Sequence, residues 1–274
     1  MYKEYWQLDT KPFEPTGDAR FFFGSQSHQA AMHKLRYAIE SRRQAVLLAG
    51  PAGVGKTLLS QSVGAQLDVS AQPFVHVVFP LMSSRDLLAF LAEQLGAPPV
   101  DTPQHTIEES LRRLDCVLCE NTQAGRHAVI VVDEAQLLED SGLFETLRLL
   151  LNLQQERRST FSLLLVGQSA LLASLARYQA LDDRIDMKIM LRSFTAEETA
   201  SYVQHRLQAS GATREIFSAD ALEMVYHLCH GTPQRINRLC DLALLVGFAS
   251  QQHTIDAQQL QNVHNELVTI SAAA

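Results

Sequence analysis

Short apolar runs alternate with segments of helical periodicity along the first two thirds of the chain. The apolar runs predict five strands, at residues 45–49, 74–79, 129–132, 161–168 and 186–191. The segments around them predict helices at residues 27–43, 57–67, 84–95, 106–121 and 143–156. Because strands that alternate with helices favour a parallel sheet covered on both faces, the pattern predicts a three-layer αβα domain with a five-stranded parallel sheet.

The pattern changes after Arg192, where strand signals stop and four helices follow one another. Thr195 and Glu198 form a capping box that opens the first helix, and Ser218 caps the second. Pro233 lies in the first turn of the third helix, and Asp256 begins the fourth. The predicted organisation is an arm at 1–25, the αβα domain at 26–193, a small helical domain at 194–270 and a tail at 271–274.

The arm is unusually aromatic. Seven aromatic residues precede Gly24, at Tyr2, Tyr5, Trp6, Phe13, Phe21, Phe22 and Phe23. So many rings predict a segment that packs on the core. The alternative is that part of the arm walls a nucleotide's adenine or meets a neighbouring subunit.

Composition places the chain among globular proteins, with 274 residues, 46% hydrophobic and 19% charged. The net charge of −7 argues against a protein that coats nucleic acid through bulk electrostatics. Of the four cysteines, Cys116, Cys119, Cys229 and Cys240, only the first two form a C-x-x-C pair, so we expect no zinc site. In a reducing cytoplasm all four are expected to be buried thiols. No apolar signal core or membrane-length apolar run is found in the sequence, and we expect a cytoplasmic protein.

Residues 50–57 match the phosphate-binding loop G-x-x-x-x-G-K-[ST] between a predicted strand and a predicted helix. Backbone N–H groups of such a loop and the N-terminus of the following helix bind phosphate. We expect Lys56 to contact the β- and γ-phosphates and the Thr57 hydroxyl to ligate Mg²⁺. The nucleotide-contacting residues are predicted to be Gly50, Pro51, Ala52, Gly53, Val54, Gly55, Lys56, Thr57 and Leu58.

Three polar residues end two later strands, at the carboxyl edge of the predicted sheet. Asp133 is expected to join Thr57 as a metal ligand, and Glu134 to accept a proton from the attacking water. Gln168 follows the fourth strand, where its amide could contact both the γ-phosphate and that water. The alternative for Gln168 is a plain loop amide.

Arg184 precedes the last predicted strand and is the fourth catalytic candidate, beside Lys56, Glu134 and Gln168. Its guanidinium could act in trans, at the site of an adjacent subunit, by stabilising charge in the transition state. The alternative is a surface salt bridge to Asp182 or Asp186.

These motifs, together with segments at both ends of the chain, resemble the AAA+ ATPases. More narrowly, the chain resembles the general secretion pathway protein A (ExeA-like) group, related to ATPases that regulate transposition. The segments that carry the narrower resemblance are Tyr5-Trp-Gln-Leu, Lys11-Pro-Phe, Phe21-Phe-Phe-Gly-Ser with His28, Val131-Val-Asp-Glu-Ala-Gln and Gly231-Thr-Pro-Gln-Arg-Ile-Asn-Arg-Leu-Cys-Asp.

The resemblance implies that the strand before the phosphate loop lies between the strands that begin near Phe161 and Met187. It also implies ATP and Mg²⁺ as cofactors, an all-helical AAA+ lid at 194–270 with ATP between lid and large domain, and homo-oligomeric rings or filaments with ATP at their subunit junctions.

The chain departs from the group in two places. Members carry an arginine that senses the γ-phosphate where this chain has Gln234, and Arg235 follows it, so Arg235 is kept as a nucleotide-binding candidate. One residue along a helix turns a side chain by about 100°. Secretion-pathway members often continue into a membrane span and a cell-wall-binding domain, so the chain to Ala274 is expected to be the motor module.

Three functions are open on the sequence. The first is an ATPase that hydrolyses ATP to drive an unidentified protein partner in membrane-associated machinery, such as a secretion or pilus-type apparatus. The second is an ATP-dependent DNA-binding regulator of the transposition type. Net charge does not favour DNA, although Arg206 or Arg238 could contact phosphates. The third is a nucleotide-sensing scaffold with little turnover, against which the presence of Glu134 argues.

Overall fold

A computed structural model describes residues 2–16, 18–78, 80–99, 106–156 and 160–272. Its strands are β1 Ala45–Ala49, β2 Phe74–Val77, β3 Ala128–Val132, β4 Phe161–Gly167 and β5 Met187–Met190. Its helices are α1 Tyr2–Tyr5, α2 Gln26–Glu40, α3 Lys56–Gln66, α4 Ser84–Gln94, α5 Ile107–Gln123, α6 Leu143–Glu156, α7 Ala170–Arg177, α8 Gln179–Asp182, α9 Ala196–Ala209, α10 Ala219–Cys229, α11 Pro233–Ala249 and α12 Ala257–Ala272. The expected strand end at Phe79 and the last two residues of the predicted tail lie outside the described residues.

The five strands form one parallel sheet in the order β2-β3-β4-β1-β5. The predicted αβα class is confirmed, and β1 lies between β4 and β5, as the resemblance implies. β1, β3 and β4 are buried along their whole length because helices cover both faces of the sheet. Register pairs Ala49 with Gly167 and with Met190, so the ends of β1, β4 and β5 lie at one edge.

β5 is shorter than its apolar run predicts. The Asp186 carboxylate accepts hydrogen bonds from the backbone N–H groups of Gln44 at 2.8 Å and Ala45 at 3.4 Å. Asp186 therefore caps the start of β1 with its side chain and precedes β5 instead of extending it. Leu191 closes the other end, where its N–H donates to the carbonyl of Ala49 at 2.8 Å.

Contacts divide the chain into two units. The sheet unit consists of His28–Ala52 and Lys56–Leu191. The helical unit consists of Met1–Ser27, Gly53–Gly55 and Arg192–Ala274. The boundaries of arm, αβα domain, helical domain and tail given above stay a prediction.

Within the helical unit, the predicted capping box is present, since Thr195 accepts from the Glu198 N–H and Glu198 accepts in return. Asp256 accepts from the N–H of Gln259 at 2.8 Å and so caps α12. Ser218 stands at the N-cap position of α10 without a side-chain cap. Its hydroxyl instead donates to the carbonyl of Ile255 at 3.1 Å, which joins the two ends of the bundle.

The aromatic arm contributes its rings to the core of the helical unit. Trp6 is fully buried, and its indole N–H donates to the carbonyl of Leu244 in α11 at 2.9 Å. Buried Arg206 of α9 donates to the carbonyls of Pro12 and Glu14, and the Arg206–Glu14 distance is 2.8 Å. The arm is therefore held by hydrogen bonds to its backbone and indole as well as by apolar burial.

The cysteine expectation is wrong for two of the four thiols. Cys229 and Cys240 are buried, but Cys116 is exposed and Cys119 half-buried, because α5 turns both toward its outer face. Burial raises the pKa of the Cys229 thiol to about 12. Among the described residues, no group of three or more His, Cys, Asp and Glu side chains could hold a metal ion. None of the described helices is long and apolar enough to cross a membrane.

His127 is a buried titratable group beside the start of β3, on the edge of the sheet away from the phosphate loop. Its Nε2 lies 2.9 Å from the Ser162 hydroxyl, which donates to the carbonyl of Arg43 at 2.6 Å. The hydroxyl therefore accepts from Nε2–H, and Nδ1 is buried without a hydrogen-bond partner among the residues that the structure describes. A proton on Nδ1 would have no acceptor among them. Burial and, secondly, the charge of Arg42 lower the pKa of His127 to about 4.

We predict that His127 makes the protein less stable in acid. Its folded-state pKa lies below the ordinary value of about 6.5, so its contribution is complete above pH 6.5 and is lost as the pH falls toward 4. H127Q keeps an N–H donor but cannot titrate. Urea unfolding at pH 7 and pH 5 should show that H127Q loses about 2 kcal/mol less than the wild type over this interval.

The control is H33Q, because His33 is exposed on α2. H33Q should lose as much stability as the wild type between the two pH values. Equal losses in H127Q and H33Q would contradict the assignment.

Candidate active site

The phosphate loop begins where β1 ends, and glycines set its path. A Cβ on Gly50 would lie 2.5 Å from the carbonyl oxygen of Leu191, so a larger residue does not fit beside the last residue of the sheet unit. Gly53 and Gly55 have φ values of 75° and 95°, which L-residues with side chains rarely adopt. α3 starts at Lys56, directly after the second of these glycines. The predicted strand, glycine loop and helix are therefore all present.

Lys56 is folded back into this loop. Its ammonium donates to the carbonyls of Gly50 at 3.0 Å and Pro51 at 2.8 Å, and only 7% of the residue is exposed. Burial lowers the pKa of the Lys56 ammonium, while the nearby carboxylates of Glu134 and Asp133 act in the opposite direction. The side chain is thus a cation held against the loop backbone on the side that faces two acids.

Thr57 and Asp133 meet directly. The Thr57 hydroxyl donates to Asp133 Oδ2 at 2.6 Å, although the two residues are 76 positions apart. Asp133 follows β3, is only 2% exposed, and also accepts from the Glu134 N–H at 2.8 Å. Burial opposes ionisation of Asp133, but polar contacts with His76, Thr57 and the Glu134 N–H outweigh it and lower the pKa of the carboxyl.

His76 is a member of this cluster that the sequence reasoning missed. Its Nε2 lies 3.4 Å from Asp133 Oδ2, and 14% of its side chain is exposed. His76 is in β2, which pairs with β3 in the register His76 to Val131. A signal was available, because His76 is the one polar residue within an otherwise apolar strand of the predicted sheet.

Glu134 occupies a turn directly after Asp133. Its backbone is left-handed, with φ 50° and ψ 37°, and its side chain is half-buried. The Gln136 amide donates to Glu134 Oε2 at 2.5 Å and accepts from the backbone N–H of Gln168 at 3.0 Å. Sequence reasoning assigned no role to Gln136, although it ends the Asp133-Glu-Ala-Gln segment.

The donors at this edge suit a magnesium ion that is shared with a nucleotide. Mg²⁺ favours hard oxygen ligands and is usually held by one or two carboxylates together with phosphates and waters. The Thr57 hydroxyl and the ionised Asp133 carboxylate, 2.6 Å apart, offer such oxygens. The residues present fit the ion, and a site built from protein ligands alone is not expected here.

Arg184 lies after α8 in a half-buried position. Within the described residues its Nη1 is buried and has no hydrogen-bond acceptor. Neither acid offered as an alternative partner engages it, since Asp182 pairs with Lys188 at 2.6 Å and Asp186 caps β1. The structure therefore favours neither of the surface salt bridges considered for Arg184.

Gln234 and Arg235 at the start of α11 point in different directions within the helical unit. The Gln234 N–H donates to the carbonyl of Gly53 at 3.2 Å, and a Cβ on Gly53 would lie 2.6 Å from the Gln234 amide oxygen. Arg235 instead lines a cavity of 370 Å³. The other residues that line this cavity are Leu228, Cys229, Arg238, Leu239, His264 and Leu267.

Three other candidates differ in exposure. Leu58 is 40% exposed on α3, and its role as a nucleotide contact stays a prediction. Arg206, considered as a phosphate contact, is buried under the arm, whereas Arg238 is exposed.

The chain is similar to known proteins in both sequence and fold. The model of the AAA domain family (AAA_22) matches residues 39–175, a span that includes the phosphate loop, Asp133 and Gln168. General secretion pathway protein A of Aeromonas hydrophila is 32% identical over 258 residues, which are 93% of this chain. The chain spans only 46% of that relative's length. The resemblance drawn from the end motifs is confirmed.

Solved structures share the fold at lower identity. The Aeropyrum pernix ORC2 protein, solved as ADPNP-ADP complexes, superposes with a TM-score of 0.70 at 16% identity and covers 94% of this chain and 72% of its own. Drosophila ORC bound to DNA gives 0.67 at 15% identity, covering 97% of this chain and 65% of the other. With its phosphate loop, its paired acids and this family match, the chain belongs to the AAA domain family.

Proposed function

We propose that the protein binds ATP with Mg²⁺ and hydrolyses it to ADP and phosphate. The observation that carries the proposal is the 2.6 Å contact between Thr57 and Asp133, with buried Lys56 beside them and Glu134 next in sequence. Membership of the AAA family supports nucleotide hydrolysis in general. The choice of ATP and the roles of individual residues are part of the proposal.

Each side chain has a distinct task in this proposal. The loop N–H groups and Lys56 bind the phosphates, and Lys56 exchanges its bonds to the Gly50 and Pro51 carbonyls for phosphate oxygens. Thr57 and Asp133 would hold Mg²⁺, which when bound neutralises charge on the β- and γ-phosphates. Glu134 removes a proton from the attacking water, and the Gln168 side-chain amide orients that water and the γ-phosphate.

A trans arginine is the second part of the proposal. The Nη1 atom of Arg184 has no acceptor in the described part of its own subunit, which favours a ligand from outside that subunit. Because this atom is buried, the side chain must change rotamer to reach a neighbour's γ-phosphate. Subunits would then assemble as a ring or filament, each completing the site of the next.

The work done by ATP is proposed from the secretion relative. The relative's name associates that protein with a secretion pathway, and the match covers 93% of this chain. We propose a cytoplasmic ATPase whose conformational change acts on a protein partner in membrane-associated machinery. Arg235 remains a nucleotide-binding candidate, although it is Gln234 that contacts Gly53.

A DNA-binding regulator is the second candidate. Arg235 and Arg238 are exposed together on α11, and one structural relative is bound to DNA. Net charge of −7 weighs against this function. ATPase rates with and without double-stranded DNA at 50 and 200 mM salt separate the candidates. Stimulation that disappears at high salt and in R238E would favour DNA, and its absence a protein partner.

We predict that two substitutions separate binding from hydrolysis. E134Q should bind ATP as the wild type does but turn it over about 10²- to 10⁴-fold more slowly, because the base is lost. K56A should weaken ATP binding itself, because the buried cation is lost. Titration with a fluorescent ATP analogue measures ATP affinity, and phosphate release measures turnover.

The matched control is E108Q, because Glu108 is an exposed acid at the start of α5. Its binding and turnover should equal those of the wild type. An E134Q protein with wild-type turnover, or a wild-type protein that binds no ATP, would refute the proposal.

We predict that Arg184 acts on a neighbouring subunit. R184A should reduce turnover on the order of 10³-fold, as the loss of an arginine finger does. R184A and E134Q each lack a different half of the shared site, so a mixture should regain activity at junctions where both halves are intact. Phosphate release from defined mixtures measures the recovery.

R177A serves as the control, since Arg177 is a nearby exposed arginine paired with Glu139. It should behave as the wild type does, alone and in mixtures. A mixture of R184A and E134Q whose rate is only the average of its components would remove the trans role.

A further inference from the structure

Gln136 joins two of the proposed catalytic elements through a single amide. Its Nε2 donates to Glu134 Oε2 at 2.5 Å, and its Oε1 accepts from the backbone N–H of Gln168 at 3.0 Å. Gln168 directly follows β4, and Glu134 is the second residue after the end of β3 at Val132. The amide therefore links the turn after β3 to the turn after β4.

The orientation of this amide is determined at both ends. The backbone N–H of Gln168 can only donate, so it must face the amide oxygen of Gln136. An ionised Glu134 carboxylate can only accept, so it must face the amide nitrogen. Glutamate at position 136 would keep the first bond and place a second carboxylate against Glu134. The site thus matches the chemistry of glutamine in particular.

The backbone leaves room for the amide where it lies against β4. A Cβ on Gly167 would be 2.7 Å from Gln136 Oε1 and 2.7 Å from Leu171 Cδ2, so the absence of a side chain at Gly167 makes the contact possible. At the other end, the left-handed backbone of Glu134 turns the chain so that Glu134 and Gln136 side chains meet across one short turn. Two independent backbone features therefore support the bridge.

We infer that Gln136 is a positioning residue, which holds the Glu134 carboxylate at a set distance from the Gln168 turn. The inference rests on the proposed function, in which Glu134 is the base and Gln168 contacts water and γ-phosphate. A hydrogen bond to one carboxylate oxygen leaves the other free for the water and limits rotation of the side chain. Movement of the Gln168 turn is transmitted to the base through the same amide.

The test is Q136M, which retains the length of the side chain and loses both hydrogen bonds. Turnover should fall about ten- to hundredfold, the effect expected for losing a hydrogen bond to a charged group. KM and the affinity for a fluorescent ATP analogue should stay within about twofold of wild type, because Gln136 bonds to Gln168 through the backbone N–H and leaves the Gln168 side chain and the phosphate loop in place. Q136E should be slower than Q136M, since it adds a like charge.

A double variant separates positioning from a general structural role. In E134Q the base is absent, so adding Q136M should cause no further loss of the residual rate. Q72M is the matched control, because Gln72 is also half-buried and its Oε1 also accepts a backbone N–H, that of Phe74, at 3.0 Å. Gln72 precedes β2, at the opposite edge of the sheet, so Q72M should retain wild-type turnover.

The outcomes separate the inference from the proposed function. Suppose that E134Q abolishes turnover. If Q136M then stays within twofold of the wild-type rate, Gln136 is not a positioning residue. The same conclusion follows if adding Q136M to E134Q slows the residual rate by the factor by which Q136M slows the wild type. If the wild type does not hydrolyse ATP, or E134Q leaves hydrolysis intact, the proposed function fails and the inference fails with it.

Discussion

The hydrogen bond between Thr57 and Asp133 is the interaction on which the site depends. The two residues lie after β1 and β3, which are separated in the sheet by β4. A contact of 2.6 Å across that span requires both strands to end at the same edge and the loop after β1 to turn back over β4. Parallel strands in register provide this, with Ala49 paired to Gly167 and Val132 to Leu165.

The burial of this hydrogen bond explains the roles of the polar groups around Asp133. Asp133 can stay ionised while 98% buried because Thr57 and the Glu134 N–H donate hydrogen bonds to its oxygens, and His76 Nε2 lies 3.4 Å from Oδ2. The Glu134 N–H reaches Asp133 because the chain turns sharply after β3. That turn sends the Glu134 side chain toward Gln136. One buried carboxylate thus organises the backbone that presents the proposed base.

Lys56 illustrates the electrostatic balance of the same edge. Its ammonium is nearly as buried as Asp133 and is satisfied by two loop carbonyls and two nearby acids. A buried cation without such partners would be costly. Phosphate oxygens are stronger acceptors for an ammonium than carbonyls are, so the arrangement suits exchange of one set of acceptors for another.

Features encoded locally were predictable from the sequence, and those that depend on distant contacts were not. The phosphate loop, the capping box at Thr195 and the strand before Asp133 follow from spacing and periodicity. His76 was missed because its partner Asp133 follows another strand, and Gln136 because one of its two partners, Gln168, lies in another turn. The exposure of Cys116 depends on which face of α5 packs inward. The helical pattern of the sequence alone did not identify that face.

The same distinction applies to the two arginine candidates. On α11, Gln234 contacts Gly53, and Arg235, one residue further on, lines a separate cavity. The angle of about 100° between successive helical residues indicated that the two side chains diverge, but which of them contacts Gly53 depends on packing. For Arg184, a surface salt bridge to Asp182 or Asp186 was the alternative to a trans role. Those acids are engaged elsewhere, since Asp182 binds Lys188 and Asp186 caps β1.

The central claim is that Thr57 and Asp133 act as one magnesium-binding unit for bound ATP. A calorimetric double-mutant cycle with T57V and D133N, comparing ATP affinity with and without Mg²⁺, tests it most directly. We expect Mg²⁺ to raise the ATP affinity of each single variant at least about tenfold less than it raises that of the wild type. The double variant should lose no more of this Mg²⁺ effect than the more impaired of the two single variants does. Additive losses, or single variants that keep the full Mg²⁺ effect, would contradict the claim.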